Sequence, residues 1–239
     1  MFLTFTEKYP FILAFILGII PALIWLWFWL KEDTHPEPAK MITLSFLGGM
    51  LAVFFVLPLQ RIVYEYFQNQ TTISFFLWAT IEEIFKFGFV YFIALRNKVT
   101  DEPVDDIIYL IVSALGFVTF ENTLFLIEPI KNGDIMSTII NSNMRFVGAS
   151  LVHVISSATI GISMGLSFYK STARKLESLI CGLILAIVLH TAFNLFIING
   201  APGDIFFIFG MVWVGIIILL LLFEKVKNIK EFPIEKPQN

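Results

Sequence analysis

The sequence predicts an all-α protein whose helices cross a lipid bilayer about seven times. Of its 239 residues, 57% are hydrophobic and 15% are charged, whereas soluble domains are about 45–50% apolar and about 25% charged. The mean hydropathy is +0.83. The apolar residues form runs of about 20, the length that crosses a hydrocarbon core of about 30 Å. Together these observations favour a polytopic transmembrane helix bundle.

Seven apolar runs define the predicted spans. In chain order they are Phe11–Leu30, Met41–Tyr64, Thr72–Leu95, Val104–Ile127, Arg145–Phe168, Leu176–Ile198 and Asp204–Phe223. The first run has neither a basic leading segment nor an Ala-x-Ala exit, so we interpret it as a span and not as a cleaved signal. A short eighth helix is expected between Ile130 and Asn143. Residues 1–223 then form one membrane domain, and residues 224–239 a polar tail that is expected to be disordered.

The basic residues predict the orientation of the spans. Eleven lysines and arginines fall in the odd-numbered connections or the C-terminal tail, against four on the opposite side. Because basic residues favour the cytoplasmic face, we expect the N-terminus outside and the C-terminus in the cytoplasm. The net charge of −3 gives no reason to expect a nucleic-acid partner. The single cysteine, Cys181, excludes an internal disulfide and a CxxC metal site.

Four predicted spans contain ionisable side chains, which are costly in lipid and therefore mark candidate functional sites. They are Glu82, Glu83 and Lys86 in the third span, Glu121 in the fourth, Arg145 and His153 in the fifth, and His190 in the sixth. At about 1.5 Å per residue, those within the spans fall in the outer half of the membrane. We expect a single water-filled pocket that opens to the outside, because polar groups are tolerated where they line a cavity.

The spacing of these residues allows acid–base chemistry. Glu82 and Lys86 are one helical turn apart, so the lysine can neutralise one carboxylate while the other remains available as an acid or base. Asn194 follows His190 by one turn on the same helix face. A purely structural ion pair and two satisfied core histidines are the alternative interpretation.

Several motifs resemble the PrsW family of membrane proteases. They are Glu82-Glu83-x-x-Lys86, Phe117-x-x-x-Glu121-Asn122, Arg145 with His153 and a small-residue run through Gly161 and Gly165, and Leu189-His190-x-x-x-Asn194. The loop Asp33-x-x-Pro36-Glu37-Pro38 is similar to that family too. The resemblance covers about residues 30–200. The PrsW family itself resembles the Abi group, which includes the type II CAAX prenyl endopeptidases, and the Aph subunit of γ-secretase.

This resemblance implies a glutamate-dependent intramembrane endopeptidase of the bacterial cell membrane. Its expected substrate is a single-span membrane protein such as an anti-sigma factor, cut on the extracytoplasmic side as the first step of regulated proteolysis in a stress response. The expected catalytic residues are Glu82, Glu83, Lys86, Glu121, His153, His190 and Asn194. One of the paired glutamates, with Glu83 favoured, would activate water, and the histidines with Asn194 would stabilise the oxyanion.

The cofactor and the activity have alternatives. We expect no cofactor, because Lys86 beside the glutamates disfavours a cation and no His-Glu-x-x-His motif is present. Zinc is the alternative, and Glu83, Glu121, His153 and His190 would supply enough ligands. A non-catalytic scaffold or a proton-coupled transporter also remains open, although a transporter would usually show an internal repeat or paired broken helices.

Overall fold

The computed structural model describes residues 9–68, 70–199 and 205–230, and these residues contain eight α-helices and no strand. The helices are α1 (Pro10–Glu32), α2 (Ala39–Phe67), α3 (Thr71–Val90), α4 (Asp105–Lys131), α5 (Ile135–Met144), α6 (Ser150–Gly165), α7 (Thr172–Asn199) and α8 (Ile205–Lys227). A π-helical turn over Tyr91–Leu95 extends α3, and a second over Arg145–Ala149 leads into α6. The all-α prediction is confirmed.

Each predicted span coincides with a helix, and the predicted short helix is α5. Five helices, α1, α2, α4, α7 and α8, are long and apolar enough to cross a membrane. Helix α3 carries three ionisable residues among its 20, and α6 has 16 residues, so the count of seven spans stays a prediction. Helix α8 continues past the predicted end at Phe223 to Lys227. Asp204 and residues 231–239 lie outside the described residues.

Helix α4 is the centre of the bundle. Almost every residue from Asp105 to Thr119 is buried, and α1, α2, α3 and α6 all pack against this helix. Helix α7 packs against α3 and α6, and α8 packs against α6. A helix that is apolar on all faces is typical of such a central position.

Glycines bring the helices around α4 into backbone contact. A Cβ atom on Gly49 of α2 would lie 1.9 Å from the carbonyl oxygen of Ser113, and one on Gly116 of α4 would lie 1.9 Å from that of Phe46. On α6, a Cβ atom on Gly161 would lie 2.6 Å from the α4 backbone. Small residues allow this close approach between membrane helices. Gly116 thus allows the backbone of α2 to approach α4 closely.

Helices α2 and α3 run antiparallel, whereas α5 continues through the second π-helical turn into α6. The Ser74 hydroxyl at the start of α3 donates to the carbonyl of Phe67 at the end of α2, over 3.1 Å. At the opposite end of this pair, a Cβ atom on Gly48 would lie 2.5 Å from Ile93 in the first π-helical turn. One end of the bundle therefore carries the α2–α3, α4–α5 and α7–α8 connections, and the other end carries the α1–α2, α3–α4 and α6–α7 connections.

Candidate active site

The ionisable residues of four helices lie together inside the bundle. The cluster contains Glu82, Glu83 and Lys86 of α3, Glu121 of α4, His153 of α6 and His190 of α7. The two imidazole rings meet edge to face with their centroids 4.7 Å apart. Apart from Glu121, no residue of this cluster is more than 4% exposed. Helix packing thus joins residues that are up to about a hundred positions apart in the sequence.

A cavity of about 610 Å³ lies beside the cluster. Its polar lining consists of Gln60, Glu82, Glu121, Arg145, His153, His190 and Asn194. Its apolar lining includes Leu57, Phe75, Trp78, Leu124, Phe125, Met144 and Ile197. These side chains come from the ends of α2, α4 and α7 and from the beginnings of α3 and α6. The cavity therefore lies toward the end of the bundle that carries the α2–α3, α4–α5 and α7–α8 connections.

Glu83 lies behind the cavity and is fully buried. The Lys86 ammonium donates to its Oε1 atom over 2.5 Å, and the Ser157 hydroxyl donates to its Oε2 atom over 2.8 Å. His190 Nδ1 also lies 2.8 Å from Oε1. Because a carboxylate cannot donate, a neutral His190 beside ionised Glu83 would carry its proton on Nδ1 and leave Nε2 as an acceptor. Glu83 is therefore placed to hold Lys86 and His190 and not to meet a substrate.

Glu82 faces the cavity and has different partners. The Gln60 amide of α2 donates to its Oε1 atom over 2.7 Å. Its Oε2 atom is buried and has no hydrogen-bond partner among the described residues. This oxygen lies 3.6 Å from His190 Nε2 and 3.8 Å from His153 Nδ1. A buried carboxylate oxygen without a donor is costly, so this oxygen is poised for a ligand.

Glu121 also faces the cavity but is paired with a cation. The Arg145 guanidinium donates to Glu121 over 2.6 Å and to the side-chain oxygen of Asn122 over 2.5 Å. It also lies 3.9 Å above the ring of Phe125. His153 Nε2 lies 3.2 Å from the same Glu121 oxygen. The π-helical turn that begins at Arg145 thus fixes the position of Glu121, and such turns are frequent at functional sites.

The charges of the cluster do not balance. Lys86 is the ion-pair partner of Glu83, and Arg145 is the partner of Glu121. Within the described part of the chain, Glu82 has only a neutral amide and two histidines beside it. With Glu82 ionised and the histidines neutral, one negative charge would remain uncompensated at Glu82, next to the Nε2 atom of His190. A buried carboxylate of this kind favours the uptake of a proton or of a cation.

The residues around this charge fit a metal ion. Ligand atoms from Glu82, His153 and His190 lie within 4.8 Å of one another. Two histidines and one glutamate, with a further position left open, form a common catalytic zinc site. The hydrogen bond from His190 Nδ1 to Glu83 is the contact that usually orients a metal-binding histidine. The orphan Oε2 atom of Glu82 completes the fit.

The ligand set differs from the one considered as an alternative in the sequence. That set contained Glu83 and Glu121, whereas the structure places Glu82 with the two histidines. His153 has both ring nitrogens engaged, because Lys86 donates to Nδ1 over 3.1 Å and Nε2 faces Glu121. His153 would have to release one of these contacts to bind a cation. His190 needs no such change.

Two residues near the site gave no clear signal in the sequence. In the sequence, Gln60 has the position of an ordinary interfacial residue near the end of a span. In the structure, its amide donates a hydrogen bond to Glu82. In the sequence, Trp78 has the position of an aromatic residue of the membrane interface. In the structure, its indole donates to the Gln60 carbonyl over 3.0 Å and its side chain lines the cavity.

Asn194 lies one turn after His190 and lines the cavity, on the face that the spacing predicts.

The Asp33–Pro38 loop lies at the opposite end of the bundle from the cavity. Glu37 accepts a hydrogen bond from the Tyr109 hydroxyl of α4, and Asp33 accepts one from the backbone of His35 over 2.9 Å. Burial raises the pKa of Glu37 above its usual value of 4.5, and the nearby Asp33 and Asp101 raise it further. The loop therefore fastens the start of α2 to α4 and takes no part in the cavity.

Comparison with known proteins agrees with this site. A family model described as PrsW family intramembrane metalloprotease matches residues 37–222. The Protease PrsW of Halalkalibacterium halodurans is 28% identical over 88% of this chain and 94% of its own length. That of Oceanobacillus iheyensis is 30% identical over 77% of this chain and 81% of its own, and that of Bacillus subtilis is 29% identical over 80% and 84%. No solved structure matches the chain.

The match covers the cluster and every residue that lines the cavity. It favours an enzyme over the scaffold and transporter alternatives, and it supports the resemblance that the sequence motifs indicated. The family description also names a metal, which agrees with the ligand atoms of Glu82, His153 and His190. The chain is a peptide hydrolase of the bacterial cell membrane and belongs to the PrsW family of intramembrane metalloproteases.

Proposed function

We propose that the chain is a zinc-dependent endopeptidase that cuts a single-span, membrane-anchored protein inside the cavity. Glu82, His153 and His190 would hold the metal. The observation that carries this proposal is the buried, unpaired Oε2 atom of Glu82 between two histidine rings. A zinc ion in such a site supplies Lewis acidity, which polarises the scissile carbonyl and activates water at neutral pH.

The remaining polar residues of the cavity have roles that follow from their contacts. Glu121 faces the cavity and is held by Arg145, so it is placed to accept a proton from the attacking water and return it to the leaving amine. Asn194 can donate its amide to the substrate carbonyl as negative charge develops there. Glu83, Lys86 and Ser157 would keep His190 and His153 in place from behind.

A metal-free, glutamate-dependent mechanism is the second candidate. Here Glu82 would itself be the base that activates water, because its Oε2 atom is unoccupied and faces the cavity. The Nε2 atom of His190 would then help to hold that water. The two mechanisms use the same residues and differ in whether a cation occupies the space among them.

The substrate and the side of cleavage rest on the orientation of the spans. If α3 and α6 both cross the bilayer, the chain has seven spans with the N-terminus outside. Two contacts support this count: α3 with its π-helical turn pairs with α2 from Ser74 to Ile93, and α6 with its own turn pairs with α8 from Gly148 to Gly165. The cavity would then open on the extracytoplasmic side. A membrane-anchored anti-sigma factor, cut there as the first step of a stress response, is the substrate that the resemblance favours.

Metal content and cleavage together test the proposal. The full chain is purified in detergent, its zinc content is measured by elemental analysis, and cleavage of a single-span substrate is followed with and without a strong chelator. We expect stoichiometric zinc in the wild type and its loss in Glu82→Gln, His153→Ala and His190→Ala. His35→Ala is the matched control, because the third histidine of the chain is exposed at the other end of the bundle. A fully active wild type without metal would overturn the zinc site in favour of Glu82 as base.

A further inference from the structure

We infer that Gln60 of α2 is a positioning residue that holds Glu82 in the orientation needed to bind the metal. The inference rests on the proposed zinc site. The Gln60 amide donates to Glu82 Oε1 over 2.7 Å, and it comes from a helix that contributes no other polar group to the cavity lining. One oxygen of Glu82 is thereby occupied, and the other is left pointing between the two histidines.

The chemistry of the amide suits this task. Glu83 and Glu121 are held by cations, which orient the carboxylates and also neutralise them. Gln60 orients Glu82 without adding positive charge, because an amide is a neutral donor. Gln60 therefore does not compete with a cation for the charge of Glu82, while the hydrogen bond limits the rotation of the carboxylate. An arginine or lysine at this position would compete with the metal for the carboxylate.

Gln60 is itself held in place. The Trp78 indole of α3 donates to the Gln60 carbonyl over 3.0 Å, which joins the backbone of α2 to α3 one turn before Glu82. The side chains of Gln60 and Trp78 both line the cavity. The amide thus reaches Glu82 from a fixed backbone. Partners of this kind behind a metal ligand usually contribute 10–100-fold to metal affinity or activity, roughly.

A double-mutant cycle on zinc affinity tests the inference. Zinc dissociation constants are measured for the full chain in detergent, by competition with a chromophoric chelator, in the wild type, Gln60→Leu, Glu82→Gln and the double variant. We expect Gln60→Leu to bind zinc about 10–100-fold more weakly. Glu82→Gln should bind zinc too weakly to keep it through purification, and its residual affinity should not fall further when Gln60→Leu is added, because Gln60 acts only through Glu82. Gln68→Leu, a change of the same kind at the exposed end of α2, should bind zinc as the wild type does.

Kinetics separate positioning from general structural support. Gln60→Leu should lower kcat for a single-span substrate and leave KM unchanged, and Gln60→Asn, whose amide is too short to reach Glu82, should behave like Gln60→Leu. Zinc bound equally tightly by Gln60→Leu and wild type would overturn the inference. If the wild type cleaves without zinc, the zinc proposal fails and Glu82 has no metal to bind. A lowered kcat in Gln60→Leu would then show that Gln60 positions Glu82 as the base, and an unchanged kcat would overturn any positioning role of Gln60. A wild type with neither zinc nor cleavage would overturn both.

Discussion

Glu82 and Glu83 are neighbours in the sequence but have opposite surroundings. Glu83 is enclosed by Lys86, Ser157 and His190, and both of its oxygens are engaged. Glu82 faces the cavity and keeps one oxygen without a partner. The two carboxylates should therefore differ in what they do for stability and for metal binding.

Removing the charge of Glu83 should destabilise the protein, whereas removing that of Glu82 should not. Glu83→Gln leaves Lys86 as a buried, unpaired cation, which costs about 3–5 kcal/mol. Glu82→Gln removes an uncompensated charge and keeps an acceptor for Gln60, so the free energy of unfolding should not fall below that of the wild type. Thermal unfolding of the metal-free proteins in detergent measures the difference.

The double variant Glu83→Gln/Lys86→Met is the control for that experiment. It removes both charges of the pair, so it should recover much of the stability that Glu83→Gln loses. Equal destabilisation by Glu82→Gln and Glu83→Gln would contradict the different roles that the two environments indicate.

The sequence could predict which residues form the site but not which of their side chains face the cavity. Glu82 and Glu83 are about 100° apart on α3, so either can face the cavity until the packing of α2 and α7 is known. The motifs named Glu82, Glu83, Glu121 and both histidines, and the structure brings these side chains together. The sequence did not identify Gln60 as a site residue, because a glutamine near the end of a span is common. Only its contact with Glu82 in the structure gives it a role.

At the scale of helices, the crossing of α2 and α4 sets the width of the cavity. Gly49 and Gly116 bring the two backbones into contact, and the same helices carry Gln60 and Glu121, which both line the cavity. A side chain inserted at the crossing must therefore push α2 and α4 apart.

Most helix ends were predictable from the apolar runs, whereas the two π-helical turns were not, because they arise from packing and not from composition.

Gly116→Ala should lower both stability and activity. Its Cβ atom would lie 1.9 Å from a backbone oxygen, which cannot move independently of α2, and overpacking of this kind costs about 1–3 kcal/mol. Gly88→Ala on α3 is the matched control, because no described atom lies within 4 Å of the added Cβ atom. That variant should be more stable by about 0.5–1 kcal/mol, since glycine is unfavourable inside a helix. Thermal unfolding and substrate cleavage measure both effects, and a neutral Gly116→Ala would contradict the close crossing.

The loop between α1 and α2 should make stability depend on pH. The pKa of Glu37 is raised in the folded protein, chiefly by burial, so the folded state binds its proton more tightly than the unfolded state does. Its contribution is therefore fully present below pH 4.5 and is lost as the pH rises through the raised pKa. Glu37→Gln keeps an acceptor for Tyr109 and removes the titration.

We expect Glu37→Gln to gain stability relative to the wild type as the pH rises from about 4.5 through the raised pKa of Glu37, because the wild-type carboxyl loses its proton over that range. Thermal unfolding of both proteins across this range measures the difference. A constant difference between the two proteins at all pH values would show that Glu37 does not titrate on unfolding.

At the scale of the whole molecule, orientation decides which compartment reaches the cavity. Apolar length identifies five spans directly. The other two long helices that carry site residues are not among these five, because α3 has three ionisable residues among its 20 and α6 has only 16 residues. Composition alone therefore does not identify α3 and α6 as spans. The distribution of basic residues is needed to predict the number of crossings and their orientation.

Cysteine labelling tests whether α3 crosses the membrane. The single free cysteine, Cys181, is exposed and is first replaced by alanine. Gln68→Cys and Asn97→Cys then mark exposed positions on either side of α3. A membrane-impermeant maleimide should label Gln68→Cys in intact cells and Asn97→Cys only after permeabilisation. Asn132→Cys, in the α4–α5 connection, should behave like Gln68→Cys. Labelling of positions 68 and 97 from the same side would contradict the seven-span orientation.

The cavity, with its volume of about 610 Å³, is also large enough for a drug-sized molecule, since such ligands occupy pockets of about 300–1,000 Å³. The rings of Phe75, Trp78 and Phe125 would receive an aromatic body, and a hydroxamate head could chelate a metal beside Glu82 and His190. With the proposed orientation, an inhibitor of this design would reach its target from the medium, without having to enter the cytoplasm.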